Sequence, residues 1–231
     1  MIITSNSSQN SQYSHRTKEE YAYDTLRTAI MRCELAPGEK LVLDNLGTML
    51  GVSPIPIRGA LQRLQAEGLV EITPHTGTTV SAISPNTVHE IFLLLEALEN
   101  VAFSEAAIRA TAADIAYLRQ LIADMAAAFD EDNAPLWYDL NNQFHLAIAE
   151  ITRMNLLLRF TRRALDSRDR LRHFYSRSFI TSRMADAHAE HCQMVELLEA
   201  RDTERLSQLV SQHNRKAKEA YQRLIESQQT Q

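Results

Sequence analysis

Residues 51–70 read GVSPIPIRGALQRLQAEGLV, and this stretch decides the fold of the N-terminal third of the chain. Ser53 followed by Pro54 marks a helix start, because proline at the first helical position lacks only an N–H that would be orphaned there anyway. Ile57, Ala60, Leu61 and Leu64 then recur on one helical face, and Gly68 stands where a helix ends in a left-handed glycine. Upstream, residues 44–50 predict a short helix capped by Asp44, with Gly51 as the turn after it. Earlier still, Thr17 with Glu19 and Glu20 in the first turn opens a helix that carries Leu26, Ile30 and Met31. It stops before Ala36-Pro37-Gly38. Downstream, residues 69–73 and 78–83 are β-branched runs joined by Pro74-His75-Thr76-Gly77, the pattern of a hairpin. Three helices and a hairpin in about seventy residues outline a winged helix-turn-helix.

Ser84-Pro85-Asn86 interrupts this pattern and reads as a linker. From residue 87 the composition is rich in Ala, Leu, Glu, Gln and Arg, and apolar residues return with a period near 3.6. The expected faces are Ile91, Leu94, Leu95, Leu98 and Val101, then Ile115, Leu118, Ile122, Met125 and Phe129, then Leu136, Leu140, Phe144 and Ile148. Later helices carry Leu157, Phe160, Ala164 and Leu171, then Val195 and Leu198, then Leu206, Val210, Ala217 and Leu224. The expected fold is therefore mainly α, an N-terminal winged helix-turn-helix (15–83) followed by a C-terminal all-α helical bundle (87–225) with room for a central cavity. Residues 1–14, mostly Ser, Asn and Gln, and residues 226–231 read as tails.

Several function classes fall away on composition. No apolar run approaches the roughly 18–20 residues that span a bilayer. Two cysteines, Cys33 and Cys192, make no disulfide scaffold, and no leader pattern opens the sequence, so a cytoplasmic location is expected. There is no HExxH and no Gly-rich phosphate loop, and His188-Ala-Glu-His191 has the wrong spacing for a zincin helix. The net charge is −5, from 24 Lys and Arg against 29 Asp and Glu.

Leu35-Ala-Pro-Gly-Glu-Lys-Leu, together with the stretch from Leu46 through Val70 and the wing glycine, resembles the DNA-binding module of GntR-type bacterial regulators. The resemblance covers roughly residues 17–83 and implies a recognition helix whose first turn enters the major groove. Ser53, Pro54, Pro56 and Arg58 stand at that end, Gly77 at the wing tip with His75 and Thr76 beside it, and Arg27, Lys40 and Arg63 as phosphate contacts. Arg58 is the expected base reader, a guanidinium one turn in; the alternative is an exposed arginine paired with a nearby acid. Two positions depart from the family: Pro54 where an arginine is usual, and Gly59 where a glutamate is usual. From residue 16 to 83 there are seven Lys and Arg against eight Asp and Glu, so affinity must come from local placement and dimerisation.

Residues 87–222 resemble, more loosely, the helical effector-binding (FCD) domain of the FadR-like branch. The anchors are Leu98-Glu99 with Ala106-Ala107, Asn141 with Phe144-His145, Glu190-His191, Ala200-Arg201-Asp202 and His213. Asn141 and His145 share one helix face, and His191 and His213 sit in apolar stripes of later helices. Asn141, His145, His191 and His213 are thus a candidate site for a divalent metal such as Zn, Ni or Mn; the alternative is a polar core around a water or carboxylate. Family members often carry an aspartate where this chain has Asn141, and a neutral amide oxygen should bind metal less tightly. An arginine usual in the family three residues before the Leu-Glu pair is here Leu95.

The run Arg153, Arg159, Arg162, Arg163, Arg168, Arg170, Arg172, Arg177 and Arg183 reads as a solvated face, from which one or two members could turn inward to clamp a carboxylate. These features together predict a ligand-responsive transcription regulator. It binds a palindromic double-stranded DNA operator as a homodimer and takes a small-molecule effector, expected to be a carboxylate. The competing readings are a metal-dependent hydrolase with an appended DNA-binding module, and a helical domain that only dimerises.

Overall fold

A computed structural model of the chain describes residues 17–175 and 183–229, with side chains in the last helix described as far as Glu226. The segment read as an N-terminal tail and Arg177 lie outside the described residues. The chain divides into two compact units between Ala82 and Ile83.

In the first unit, α1 (Lys18–Met31) begins at a capping box: the Thr17 hydroxyl accepts from the Glu20 backbone N–H, and the Glu20 carboxylate accepts from that of Thr17. Helix α1 buries Ala22, Leu26, Ala29 and Ile30 against Ile57, Ala60, Leu61 and Leu64 of α3 (Pro54–Ala66). Between them lies α2 (Leu43–Leu50), one residue longer than expected. Val42, not Asp44, holds its N-cap position, and Asp44 lies in the first turn instead. Gly51 and Gly68 end α2 and α3 at φ of 66° and 75°, a conformation that a Cβ would strain. The hairpin is β2 (Val70–Thr73) and β3 (Gly77–Val80), with Thr73 paired to Gly77. A third strand, β1 (Lys40–Leu41), pairs antiparallel with β3, so the strand order is β1-β3-β2.

In the second unit, Ile83 packs into its core, and Ser84 and Pro85 are the cap and first residue of α4 (Pro85–Arg109). The segment expected as a linker is therefore the start of a helix, closed by a second capping box between Ser84 and Thr87. Five further helices follow: α5 (Ala112–Asp130), α6 (Ala134–Ile151), α7 (Asn155–Phe174), α8 (Met184–Glu199) and α9 (Thr203–Gln229). Helix α9 runs through most of the segment expected as a C-terminal tail.

Two apolar clusters form the core. One joins the C-terminal half of α4 to α5, α6, α8 and the start of α9; the other joins the N-terminal half of α4 to α7 and the end of α9. The buried stripe of α4 is Val88, Phe92, Leu95, Glu99, Ala102, Phe103, Ala106 and Ala107, whereas Leu94 and Val101, expected inside, are exposed. Phe129, Leu136 and Phe160 are likewise outside. No helix of the described residues is long and apolar enough to cross a membrane.

Candidate functional site

At the start of α3, Ser53, Pro54, Ile55 and Arg58 are all exposed. The Ser53 hydroxyl makes no cap bond. Pro54 and Pro56 occupy the first and third helical positions, so two of the N–H groups that a helix terminus offers an anion are missing. An anion at this end would meet side chains more than backbone N–H groups, and Arg58 has no hydrogen bond or ion pair among the described residues.

The other two arginines of the sequence reading are engaged inside the unit. Arg27 Nε donates to Glu67 Oε2 at 3.2 Å, the Tyr23 hydroxyl donates to the same carboxylate, and Arg63 lies 3.9 Å over the Tyr23 ring. This network ties α1 to the end of α3. At the wing, His75, Thr76 and Gly77 are exposed, with His75 at φ 63° and Gly77 at φ 114°. A Cβ on Gly77 would stand 3.5 Å from Lys40 Cε, so β1 sets a lysine beside the wing tip.

The second unit holds a polar cluster where its two apolar clusters meet. Helix α6 presents Asn141 and His145 one turn apart, α8 presents His191, and α9 presents His213; all four are buried. The three histidines bring one ring nitrogen each within 4.8 Å of one another. Asn141 joins them on the same face of α6.

Two carboxylates orient this set. Glu99 of α4 places Oε1 2.9 Å from His145 Nδ1, while its Oε2 accepts from Asn214 Nδ2 at 2.7 Å. Glu190 of α8 places Oε2 2.6 Å from His213 Nδ1. A carboxylate on Nδ1 leaves Nε2 as the lone-pair nitrogen, the arrangement in which imidazoles ligate metals. Both ring nitrogens of His145 and of His191 are buried without a hydrogen bond, the Glu99 Oε1 approach to His145 Nδ1 being a close charge contact and not an aligned bond. Buried polar atoms are almost always satisfied, so converging orphaned nitrogens are the donor set that a cation would satisfy. Glu99 and Glu190 are anchors of the family resemblance, and nothing in the sequence alone marks either as a partner of an imidazole.

The electrostatics favour neutral His191 and His213 and ionised Glu99 and Glu190. Burial, reinforced by the neighbouring imidazoles, holds His191 well below the usual histidine range. Burial also lowers His213, against the opposing pull of Glu190. For Glu99, burial alone would raise the carboxyl, but His145 beside it brings it down to about 2. Glu190 is similarly raised by burial and then held far below the carboxylate range by His213, Arg183 and Lys216.

The cluster opens on a cavity of about 80 Å³, several times the space one water needs. Asn141 and His213 line one side, and Arg168, Arg172, Arg183 and Tyr221 are also in its wall. The arginine run therefore splits. Arg153, Arg159, Arg162 and Arg163 are exposed, whereas Arg168, Arg172 and Arg183 turn to the cavity. Arg168 bonds Asn142 Oδ1 at 2.8 Å, and Arg172 bonds Asp169 while lying 4.6 Å over the Tyr138 ring. The Tyr138 hydroxyl is buried with no partner, and Trp137, also in the wall, stacks near His191 with ring centroids 6.3 Å apart. Cys192 lies 3.8 Å from His188, outside this set.

A winged helix-turn-helix joined to a helical domain with a buried histidine triad defines a two-domain bacterial regulator. Residues 18–80 match the family described as bacterial regulatory proteins, gntR family, and residues 90–216 match the FCD domain. The chain belongs to the GntR family of transcription regulators, in the branch that carries an FCD domain.

Its relatives include an uncharacterized HTH-type transcriptional regulator in the TAR-I ttuE-ttuC' intergenic region of Agrobacterium vitis, 34% identical over 54% of this chain and 74% of the relative. The HTH-type transcriptional repressor GlaR of Escherichia coli is 29% identical over 83% of this chain and 90% of its own length. Among solved structures, E. coli McbR/YncC superposes with a TM-score of 0.73 at 22% identity, over 90% of this chain and 99% of that one. These families and relatives are regulators and not enzymes, and nothing in them supports the hydrolase alternative.

Proposed function

We propose that this chain binds a two-fold symmetric operator as a homodimer, and that a small carboxylate entering the helical domain changes its DNA affinity. The observation that carries the reading is the triad of His145, His191 and His213: the first two hold buried unpartnered nitrogens, and the third lines a cavity that Arg168, Arg172 and Arg183 also line. Those three imidazoles with the Asn141 amide oxygen would hold a divalent cation such as Zn, Ni or Mn. Such a cation supplies Lewis-acid positions for carboxylate oxygens. The chain's own part is to fix the imidazoles through Glu99 and Glu190 and to offer guanidinium N–H groups to the rest of the anion.

DNA contact falls to Ser53, Pro54, Pro56 and Arg58, with His75, Thr76, Gly77 and Lys40 at the wing. Arg27 and Arg63 serve the α1–α3 seam first. A second copy of the chain is supported by α4, which is apolar on both faces while only one is covered: Leu94, Val101 (47% exposed) and Ile108 (63% exposed) form a stripe opposite the buried one. A helix apolar all round belongs inside a larger packed structure. The decisive experiment combines elemental analysis of protein purified without chelator with an operator titration in the presence of small carboxylates. The reading requires bound divalent metal in the first and a ligand-dependent shift in the second. It fails if reconstitution with excess Zn, Ni or Mn leaves the protein metal-free.

A further inference from the structure

Arg183 lines the cavity beside His213 and contacts that residue of the triad. It immediately precedes α8, and its side chain, 12% exposed, lines the cavity. Its Nη2 donates to Glu190 Oε2 at 2.7 Å and to the His213 carbonyl oxygen at 3.0 Å, and Nη1 lies 3.4 Å from Glu190 Oε1. Glu190 Oε2 is the same oxygen that meets His213 Nδ1. One guanidinium thus grips both the backbone of a triad residue and the carboxylate that orients its ring.

The other cation on Glu190 is placed differently. Lys216 Nζ reaches Oε1 at 2.9 Å, not the oxygen on His213, and its side chain is 43% exposed. Its flexible stem and access to water make it the weaker restraint. The planar fork of Arg183 meets both oxygens of the carboxylate, and an ionised oxygen 2.6 Å from His213 Nδ1, closer than the 3.4 Å of Arg183 Nη2 from the same atom, favours the proton on Nδ1.

We propose that Arg183 is a positioning residue for the metal centre, acting through Glu190 to hold His213 with Nε2 toward the cation. This rests on the metal reading above. Nothing in the sequence marks Arg183 out from the other arginines of its run. Its role follows from two bonds of Nη2 and one longer contact of Nη1.

The test is Zn(II) affinity by competition with a chromophoric chelator, and the ligand-field spectrum of Co(II)-loaded protein. Both are measured in wild type, Arg183→Gln, Arg183→Lys, Lys216→Gln, Glu190→Gln and the Arg183→Gln/Glu190→Gln double variant. Arg183→Gln should weaken Zn(II) by roughly 10–100-fold, the usual weight of a partner that orients a ligand. Arg183→Lys should recover part of that loss. Lys216→Gln should cost no more than about fivefold, the weight of a screened ion pair.

The double variant should be no worse than Glu190→Gln alone, because the two residues act in series. The Co(II) spectrum should change in Arg183→Gln while the apo variant keeps its far-ultraviolet circular dichroism. Wild type that binds no metal would refute the proposed function. Wild-type affinity and spectrum in Arg183→Gln, or losses that add in the double variant, would overturn this assignment alone.

Discussion

The Glu19 carboxylate of α1 lies directly on the backbone of Gly59 in α3: a Cβ built on Gly59 would stand 2.5 Å from Glu19 Cδ and 3.1 Å from its Cγ. The glycine that breaks the family pattern thus leaves room for an acid from another helix. Alanine in place of a mid-helix glycine normally adds about 1 kcal/mol of stability. Here Gly59→Ala must first displace Glu19, so denaturant titration should show a smaller gain. The gain should be complete in a Glu19→Ala background. Equal gains in both backgrounds would mean the contact has no energetic weight.

Arg58 and Arg63 should separate in their effects. Arg58→Ala removes an unpartnered exposed guanidinium, and should cost on the order of 1–3 kcal/mol on the specific operator with little change in folding stability. Arg63→Ala removes the stack on Tyr23 and should lower folding stability by about 0.5–1 kcal/mol. Gel-shift titrations against specific and random DNA, run beside urea melts, distinguish the two. If Arg58→Ala weakens both DNAs equally, the residue contacts phosphate and reads no base.

Metal affinity should depend on named atoms. His191→Ala removes a ligand whose two nitrogens are both unpartnered, and bound metal should disappear from elemental analysis. Asn141→Asp replaces a dipole by a full charge and should tighten divalent-cation binding by on the order of tenfold. A carboxylate at 141 that leaves affinity unchanged would place residue 141 outside the ligand set.

Acidification of chelator-treated protein should destabilise the helical unit in two stages. His191 and His213 lie below their usual range in the fold, so the unfolded chain takes up their protons first. Stability is therefore complete above about pH 7 and falls as pH drops through about 6.5, the unfolded histidine value. Glu99, at about 2, and Glu190 are also depressed, and their contribution is lost below about pH 4.5 by the same linkage. Melting temperatures flat from pH 8 to 5.5 would contradict the first stage.

If the proposed homodimer forms through the uncovered side of α4, a charge there should dissociate it. Val101→Glu changes no buried position of the unit, so light scattering should report a folded monomer with weakened operator binding. A dimer that survives Val101→Glu and Leu94→Glu would move the interface elsewhere.

Much of the fold is legible in local chemistry. Thr17, Ser53-Pro54, Gly51 and Gly68 mark their helix ends because capping and left-handed φ are properties of a few adjacent residues. The buried face of α4 was not, because Leu94 and Leu95 are equally apolar and only packing decides which turns inward. Strand β1 is two residues long and carries no period to read. The histidines and Asn141 could be grouped from their stripes and the family pattern. Glu99 and Glu190, distant in sequence from their imidazole partners, acquire roles only when α4 meets α6 and α8 meets α9. The same holds for the arginines, since Arg27 and Arg63 look like Arg58 until Glu67 and Tyr23 are seen beneath them.

Trp137, the sole tryptophan of the chain, stacks 29° from parallel beside His191 in the cavity wall. Its emission is therefore an optical readout of that one place. Paramagnetic Co(II) or Ni(II) arriving at the triad should darken it, Zn(II) should shift it without quenching, and an anion in the cavity should change its colour by altering the field around the indole. The protein carries its own dye, so loading of the helical domain can be followed without a label and without DNA.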